Sequence, residues 1–142
     1  MNYPEKERQT LERALEALTR ETGLAATVVQ WETRVGRDNG QDAIIEVVGP
    51  QQTHQFAVQI KNRIDRFETL HQLQAFWPLN ARQQLFVAPY ITQQLAERCR
   101  EINICFADTA GNAYLRAPGL HIYVTGRRKP PELEAGLNRL KS

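Results

Sequence analysis

The pattern of apolar residues changes character midway along the chain, and this constrains the fold more than any other feature. Up to residue 60, three β-prone stretches follow one another, and the third alternates between two faces. Ala26-Thr27-Val28-Val29-Gln30-Trp31 is β-branched and aromatic, Ala43-Ile44-Ile45-Glu46-Val47-Val48 follows, and His54 to Ile60 is the third. In that third stretch Phe56, Val58 and Ile60 share one side, while Gln55, Ala57, Gln59 and Lys61 share the other. Beyond residue 83 the strands become short continuous apolar runs, Gln84-Leu85-Phe86-Val87-Ala88 and Ile104-Cys105-Phe106-Ala107, which is how strands buried on both faces read. A helical segment lies between these two runs, capped by Thr92 and running to about Ile102 with Leu95, Cys99 and Ile102 inward. Such a β-α-β arrangement favours a parallel pair with a right-handed crossover.

The remaining elements complete the expectation. Leu11, Leu15 and Leu18 recur at helical spacing after Pro4, and Gly23 ends that helix. Gly36-Arg37-Asp38-Asn39-Gly40 is a turn cluster whose Asn-Gly is a strong hairpin signal. Asp65 to Trp77 carries Phe67, Leu70, Leu73 and Trp77 on a helical stripe that Pro78 stops. Asp108 to Asn112 forms a turn into Tyr114-Leu115-Arg116, and Pro118-Gly119 returns the chain into His121-Ile122-Tyr123-Val124. Pro130-Pro131 starts a last amphipathic helix with Leu133, Leu137 and Leu140. The expected fold class is α/β (α+β), a central mixed sheet flanked by helices. With 142 residues the chain is one domain, 1–142, with 131–140 a possible interface element.

Composition excludes several classes. Hydrophobic residues make up 42% and charged residues 24%, so the chain is globular rather than disordered. No apolar run approaches the roughly 20 residues of a membrane span, and Met1-Asn2-Tyr3-Pro4-Glu5-Lys6 lacks an apolar h-region, so no secretory signal is expected. Cys99 and Cys105 are expected as buried reduced thiols, which favours a cytoplasmic protein. His54, His71 and His121 share no zinc-ligand spacing. The net charge is only +2, but Arg heavily outnumbers Lys, and Arg suits bidentate phosphate recognition. Two basic runs stand out, Lys61 with Arg63 and Arg66, and Arg127-Arg128-Lys129. Trp31, Tyr90 and Tyr114 could stack on bases, although aromatics in strands are usually core. Phe76-Trp77 is an interface candidate, because adjacent helical aromatics cannot both point at one core.

One constellation could carry chemistry. Asp42 enters the second strand, and Gln59 and Lys61 lie near the exit of the third. Antiparallel neighbours place the start of one strand beside the end of the next, so these residues should meet. Carboxylate and amide oxygens near a Lys are the groups with which proteins hold Mg²⁺ or Mn²⁺ against a phosphodiester.

This layout resembles the PD-(D/E)xK nuclease superfamily, in which an Asp is followed by a carboxylate two positions before a Lys. By that resemblance Asp42, Gln59 and Lys61 fill the slots, and the metal, if the site is active, meets Asp42, Gln59 and the Ile60 backbone. Glu12 supplies the helix carboxylate, with Glu16 as the alternative. The stretches Leu85-Phe86-Val87-Ala88-Pro89-Tyr90-Ile91-Thr92, Leu95-Ala96-Glu97-Arg98 and Phe106 to Leu115 are similar to a bacterial family of nuclease-like proteins. That family is grouped with transcriptional regulators resembling type IV abortive-infection antitoxins. The resemblance implies a restriction-endonuclease-like core, close to Holliday-junction resolvases that act as dimers on branched DNA. Gln59 departs from the pattern, since an amide contributes a carbonyl oxygen but no negative charge.

The expected function is therefore homodimeric DNA binding with a degenerate QxK site, with Lys61, Arg63, Arg66, Arg127, Arg128 and Lys129 on phosphates. The alternatives are a Mg-dependent structure-specific endonuclease and an antitoxin-like regulator acting through a protein partner.

Overall fold

The computed structural model describes residues 5–32, 42–64, 66, 68–69 and 83–129. Among these, helix α1 spans Glu5–Thr22 and helix α2 spans Gln93–Glu101. Seven strands run in chain order: β1 Ala26–Trp31, β2 Ala43–Val48, β3 Thr53–Ile60, β4 Gln83–Ala88, β5 Phe106–Asp108, β6 Ala113–Ala117 and β7 Leu120–Val124. All seven join one sheet in the order β1-β2-β3-β4-β5-β6-β7. The β1-β2-β3 pairs are antiparallel, β3-β4-β5 are parallel, and β5-β6-β7 are antiparallel again. The chain is thus α+β around a mixed sheet, with two antiparallel ribbons flanking a parallel centre.

Burial explains this order. The centre of the sheet is covered on both faces, so Leu85, Phe86, Val87 and Ala88 of β4 are all buried, as are Phe106, Ala107 and Asp108 of β5. The outer strand β1 alternates between partly buried and exposed positions, and a register shift between Val28 and Gln30 leaves Val29 exposed. A bulge of this kind blunts an edge strand against pairing with another chain. Helix α1 packs Thr10, Leu11, Ala14, Leu15, Ala17 and Leu18 against β1, β3, β4 and β5. Complete burial of each leucine contributes about 1.5–3 kcal/mol.

The helix ends follow local chemistry. Gly23, at φ +78°, closes α1 with its N–H donating to Thr19 O at 2.7 Å. Thr92 caps α2, its Oγ1 accepting from Leu95 N at 3.3 Å. Asn103 takes the left-handed position after α2 at φ +62°, and its Oδ1 accepts from the Tyr114 hydroxyl at 2.8 Å. The sequence places these elements well but shifts some ends, and Ile102, expected inward, is exposed at the cap of α2, past its last turn. The β5 ladder starts at Phe106 rather than Ile104, because the chain first turns through Ile104, whose N–H donates to Cys99 O. The turn at 36–40, most of the helix expected over 65–77 and the terminal helix 131–140 lie outside the described residues.

Candidate functional site

Strand directions decide which residues share a rim of the sheet. β3, β4 and β5 are parallel, β6 reverses and β7 reverses again, so β3 and β7 point the same way. β2 opposes β3, so Asp42, at the entry to β2, lies at the rim where β3 ends. Both basic runs leave the sheet at that rim: residues 61–66 follow β3, and residues 127–129 come shortly after β7.

Asp42 is buried at 7% exposure and grips the end of β3 by two bonds. Its backbone N–H donates to Val58 O at 2.7 Å, and its Oδ2 accepts from Ile60 N at 2.7 Å. The ladder pairs Ala43 with Val58, so Asp42 and Ala43 both address one residue of β3, as in a bulge. The two bonds of Asp42 bracket Gln59, also 7% exposed, and Gln59 Oε1 is buried without a hydrogen-bond partner. A buried carbonyl oxygen left in this state costs about 1–3 kcal/mol. Two residues on, Lys61 is partly exposed, and its N–H closes the β3-β4 ladder on Val87 O at 2.8 Å.

The sequence expectation that Asp42 meets the Gln59-Ile60-Lys61 stretch therefore corresponds to the observed geometry. The role of the carboxylate is partly structural, since the N–H it accepts belongs to Ile60. Strand geometry aims the Ile60 carbonyl toward β2 along with that N–H, so Asp42, Gln59 and the Ile60 backbone could contribute oxygens to a cation. Between them they offer a single negative charge. The helix glutamates do not gather there: Glu12 and Glu16 are both exposed, outside the buried stripe of α1. Among the described residues no group of three His, Cys, Asp or Glu is placed to hold a metal ion. Mg²⁺ sheds water reluctantly and needs anionic oxygens, so these residues do not make a firm Mg²⁺ centre.

In the second basic run the structure adds an ion pair and two backbone bonds to Arg127. Arg127, expected on phosphate, is held by Glu21, with its Nε 2.9 Å and its Nη2 2.8 Å from Glu21 Oε1. That hydrogen bond and the cationic neighbours hold the Glu21 carboxyl below the usual glutamate value. The Arg127 backbone is pinned too: its N–H donates to Asn112 Oδ1 at 2.8 Å, and its carbonyl accepts from the Tyr90 hydroxyl at 3.0 Å. Lys129 lies 5.5 Å over the Tyr90 ring, and Arg128 is exposed. After β3, Arg63 and Arg66 are exposed. Of the aromatics considered for stacking, Tyr114 is in the core and Trp31 lies beneath the Arg8 guanidinium at 5.0 Å. Phe76 and Trp77 lie outside the described residues.

The most elaborate polar cluster is one the sequence suggested only as a turn. Asp108, fully buried, accepts on Oδ1 from the N–H groups of Ala110, Gly111 and Asn112 at 2.9–3.0 Å. Its Oδ2 accepts from Ile91 N at 2.8 Å and Asn112 Nδ2 at 2.9 Å. Gly111 adopts φ +106°, and a Cβ there would meet Glu21 Cγ at 2.8 Å, so the turn admits only glycine without strain. Burial pushes the Asp108 carboxyl above its ordinary range, against the opposing pull of Asn112, Ile91 and Ala110. Five donated bonds make this a satisfied structural anchor that ties the β4 exit, the β5-β6 turn and Arg127 together.

No helix among the described residues is long and apolar enough to cross a membrane. Comparisons with family models, with curated proteins and with solved structures gave no match.

Proposed function

We propose that this protein binds DNA as a homodimer, through the rim of the sheet where β3 and β7 end, on a restriction-endonuclease-like core whose acidic centre is reduced to Asp42. The observation that carries the reading is directional: two basic runs, far apart in sequence, leave the sheet at the same rim. Lys61, Arg63, Arg66 and Arg128 offer the phosphate contacts, and Arg127 holds the segment that presents Arg128. Phosphate contacts give affinity with little sequence preference and a steep dependence on salt. The nuclease-like layout is supported by the antiparallel β1-β2-β3 meander, the parallel β4 and the Asp42 grip on the end of β3.

Fluorescence polarisation with labelled duplex and four-way-junction DNA across a salt series tests this reading. Each of Lys61→Ala, Arg63→Ala and Arg128→Ala is expected to weaken binding to both DNAs and to lower the salt slope by about 1. Arg127→Ala is expected to act mainly on stability. Undetectable binding at low salt, or binding unchanged in the triple variant, would sink the proposal.

One observation favours a second reading, metal-dependent cleavage: the unpartnered Gln59 Oε1 bracketed by Asp42. Incubating branched and duplex DNA with Mn²⁺ decides it. Cleavage that disappears in Asp42→Ala and rises in Gln59→Glu supports a retained centre, and cleavage indifferent to both excludes this site. The antitoxin-like reading through a protein partner would rest on Phe76, Trp77 and 131–140, all outside the described residues.

A further inference from the structure

The opposite rim of the sheet has a notch. β4 begins opposite Phe56 and β5 begins opposite Phe86, so both start late. The β2-β3 and β6-β7 hairpins extend past them and touch, with Gln52 Nε2 donating to Pro118 O at 3.1 Å. Between them lies an open surface notch of about 590 Å³, lined by Gln83, Asn103, Arg116, His121 and the 117–120 turn. Its size suits a small molecule or one nucleotide.

The chemistry of the lining is one-sided. Arg116 and His121 are direct cross-strand partners. Gln83 and Asn103 add side-chain amides, and among the described residues no carboxylate lines the notch. Neither Arg116 nor His121 has an ion-pair partner among the described residues, whereas Arg127 at the other rim does. The His121 ring is set edge-on to Tyr114, with centroids 6.0 Å apart. Tyr114 in turn holds Asn103, so the walls are built on fixed elements. The adjoining Tyr123 ring carries the Arg100 guanidinium at 4.8 Å, which extends the positive surface toward α2. A guanidinium without an ion-pair partner, beside other side-chain N–H groups and with no carboxylate among the described lining residues, is a receptor for an oxyanion.

We infer that this notch binds a phosphate group, with Arg116 as its charged donor and the side-chain N–H groups of His121, Asn103 and Gln83 beside it. The inference stands apart from DNA binding at the rim of Lys61. The same chemistry would accept the phosphate of a free nucleotide or of a nucleic-acid backbone.

Two-dimensional ¹H–¹⁵N NMR of the full chain tests it, with inorganic phosphate, a nucleoside monophosphate and a short single-stranded oligonucleotide as probes. Saturable shifts are expected at the amides of Arg116, Gly119 and His121, with a Kd on the order of 1 mM for inorganic phosphate. Arg116→Gln is expected to weaken binding about tenfold or more, with Arg116→Lys intermediate. Arg116 is exposed, so the variants should fold, and an unchanged spectrum elsewhere verifies that. A monophosphate that binds more tightly than the oligonucleotide identifies a free nucleotide. The reverse order, persisting in Lys61→Ala, identifies a backbone. Shifts that grow linearly without saturation for all three probes, or that are indifferent to Arg116→Gln, overturn the inference.

Discussion

At the scale of single residues, Asp42 and Gln59 are neighbours with opposite energetic signs. Asp42 is buried and gives its carboxylate to Ile60 N–H, so removing it leaves that donor unsatisfied. Asp42→Ala is expected to cost about 1–3 kcal/mol in urea unfolding, and Asp42→Asn less, because an amide oxygen can still accept. Gln59 keeps a buried oxygen without a partner, so Gln59→Leu is expected to be neutral or stabilising by up to about 1 kcal/mol. A large loss of stability in Gln59→Leu would show that the amide is structural and would weaken its reading as a site residue. The thiols are inert by contrast. Burial, with Cys105 nearby, pushes Cys99 up to about 12, and burial raises Cys105 as well. Neither is expected to react with iodoacetamide in the native protein at mildly alkaline pH, and both should react in denaturant. The meeting of Asp42 with Gln59 was legible in the sequence, because strand alternation and antiparallel pairing follow from residue type. The bond from Ile60 N–H to Asp42 was not, since a bulge at a strand entry leaves no periodic trace.

At the scale of elements, the segment after β7 shows how contacts remote in sequence position a basic run. Glu21 sits at the end of α1, and Arg127 lies 106 positions later. No local pattern announces such a pair, which is why Arg127 reads from sequence as a free cation. Its pH dependence follows from the lowered Glu21 carboxyl. A depressed folded-state value means the contact is intact above the ordinary glutamate range and is lost as pH falls through the lowered value. The protection of the Arg127 and Arg128 amides, taken relative to intrinsic exchange at each pH, is expected to fall over that acidic window, and Glu21→Gln should remove the dependence. Exchange equally acid-sensitive in the variant would assign it to another group. The Asp108 turn was legible only as a turn, because its glycine and asparagine announce backbone geometry. Four of the five donors to the aspartate are local to the turn, and the fifth, Ile91 N–H, comes from the segment after β4, which the turn meets only in three dimensions.

At the scale of the molecule, every strand lies beside its neighbour in the chain, so the sheet order follows from sequential hairpins and two crossovers, β3 to β4 and β4 to β5. The shared rim of the two basic runs was open to the same counting, since it needs only the direction of each strand. The notch was not legible, because it arises from unequal strand starts rather than residue type. A single core under one sheet is expected to unfold as a unit. Near- and far-ultraviolet circular dichroism should give coincident urea transitions, and separated midpoints would divide the chain into independently stable parts.

The amide at position 59 also has a genetic consequence. Both glutamine codons become glutamate codons by changing their first base alone, so an acidic form of this centre lies one nucleotide away in every copy of the gene. A lineage in which cutting were useful could reach it in a single step. A lineage in which cutting were harmful would be under steady purifying selection at that base. Growth competition between strains differing only at this codon would reveal which force acts.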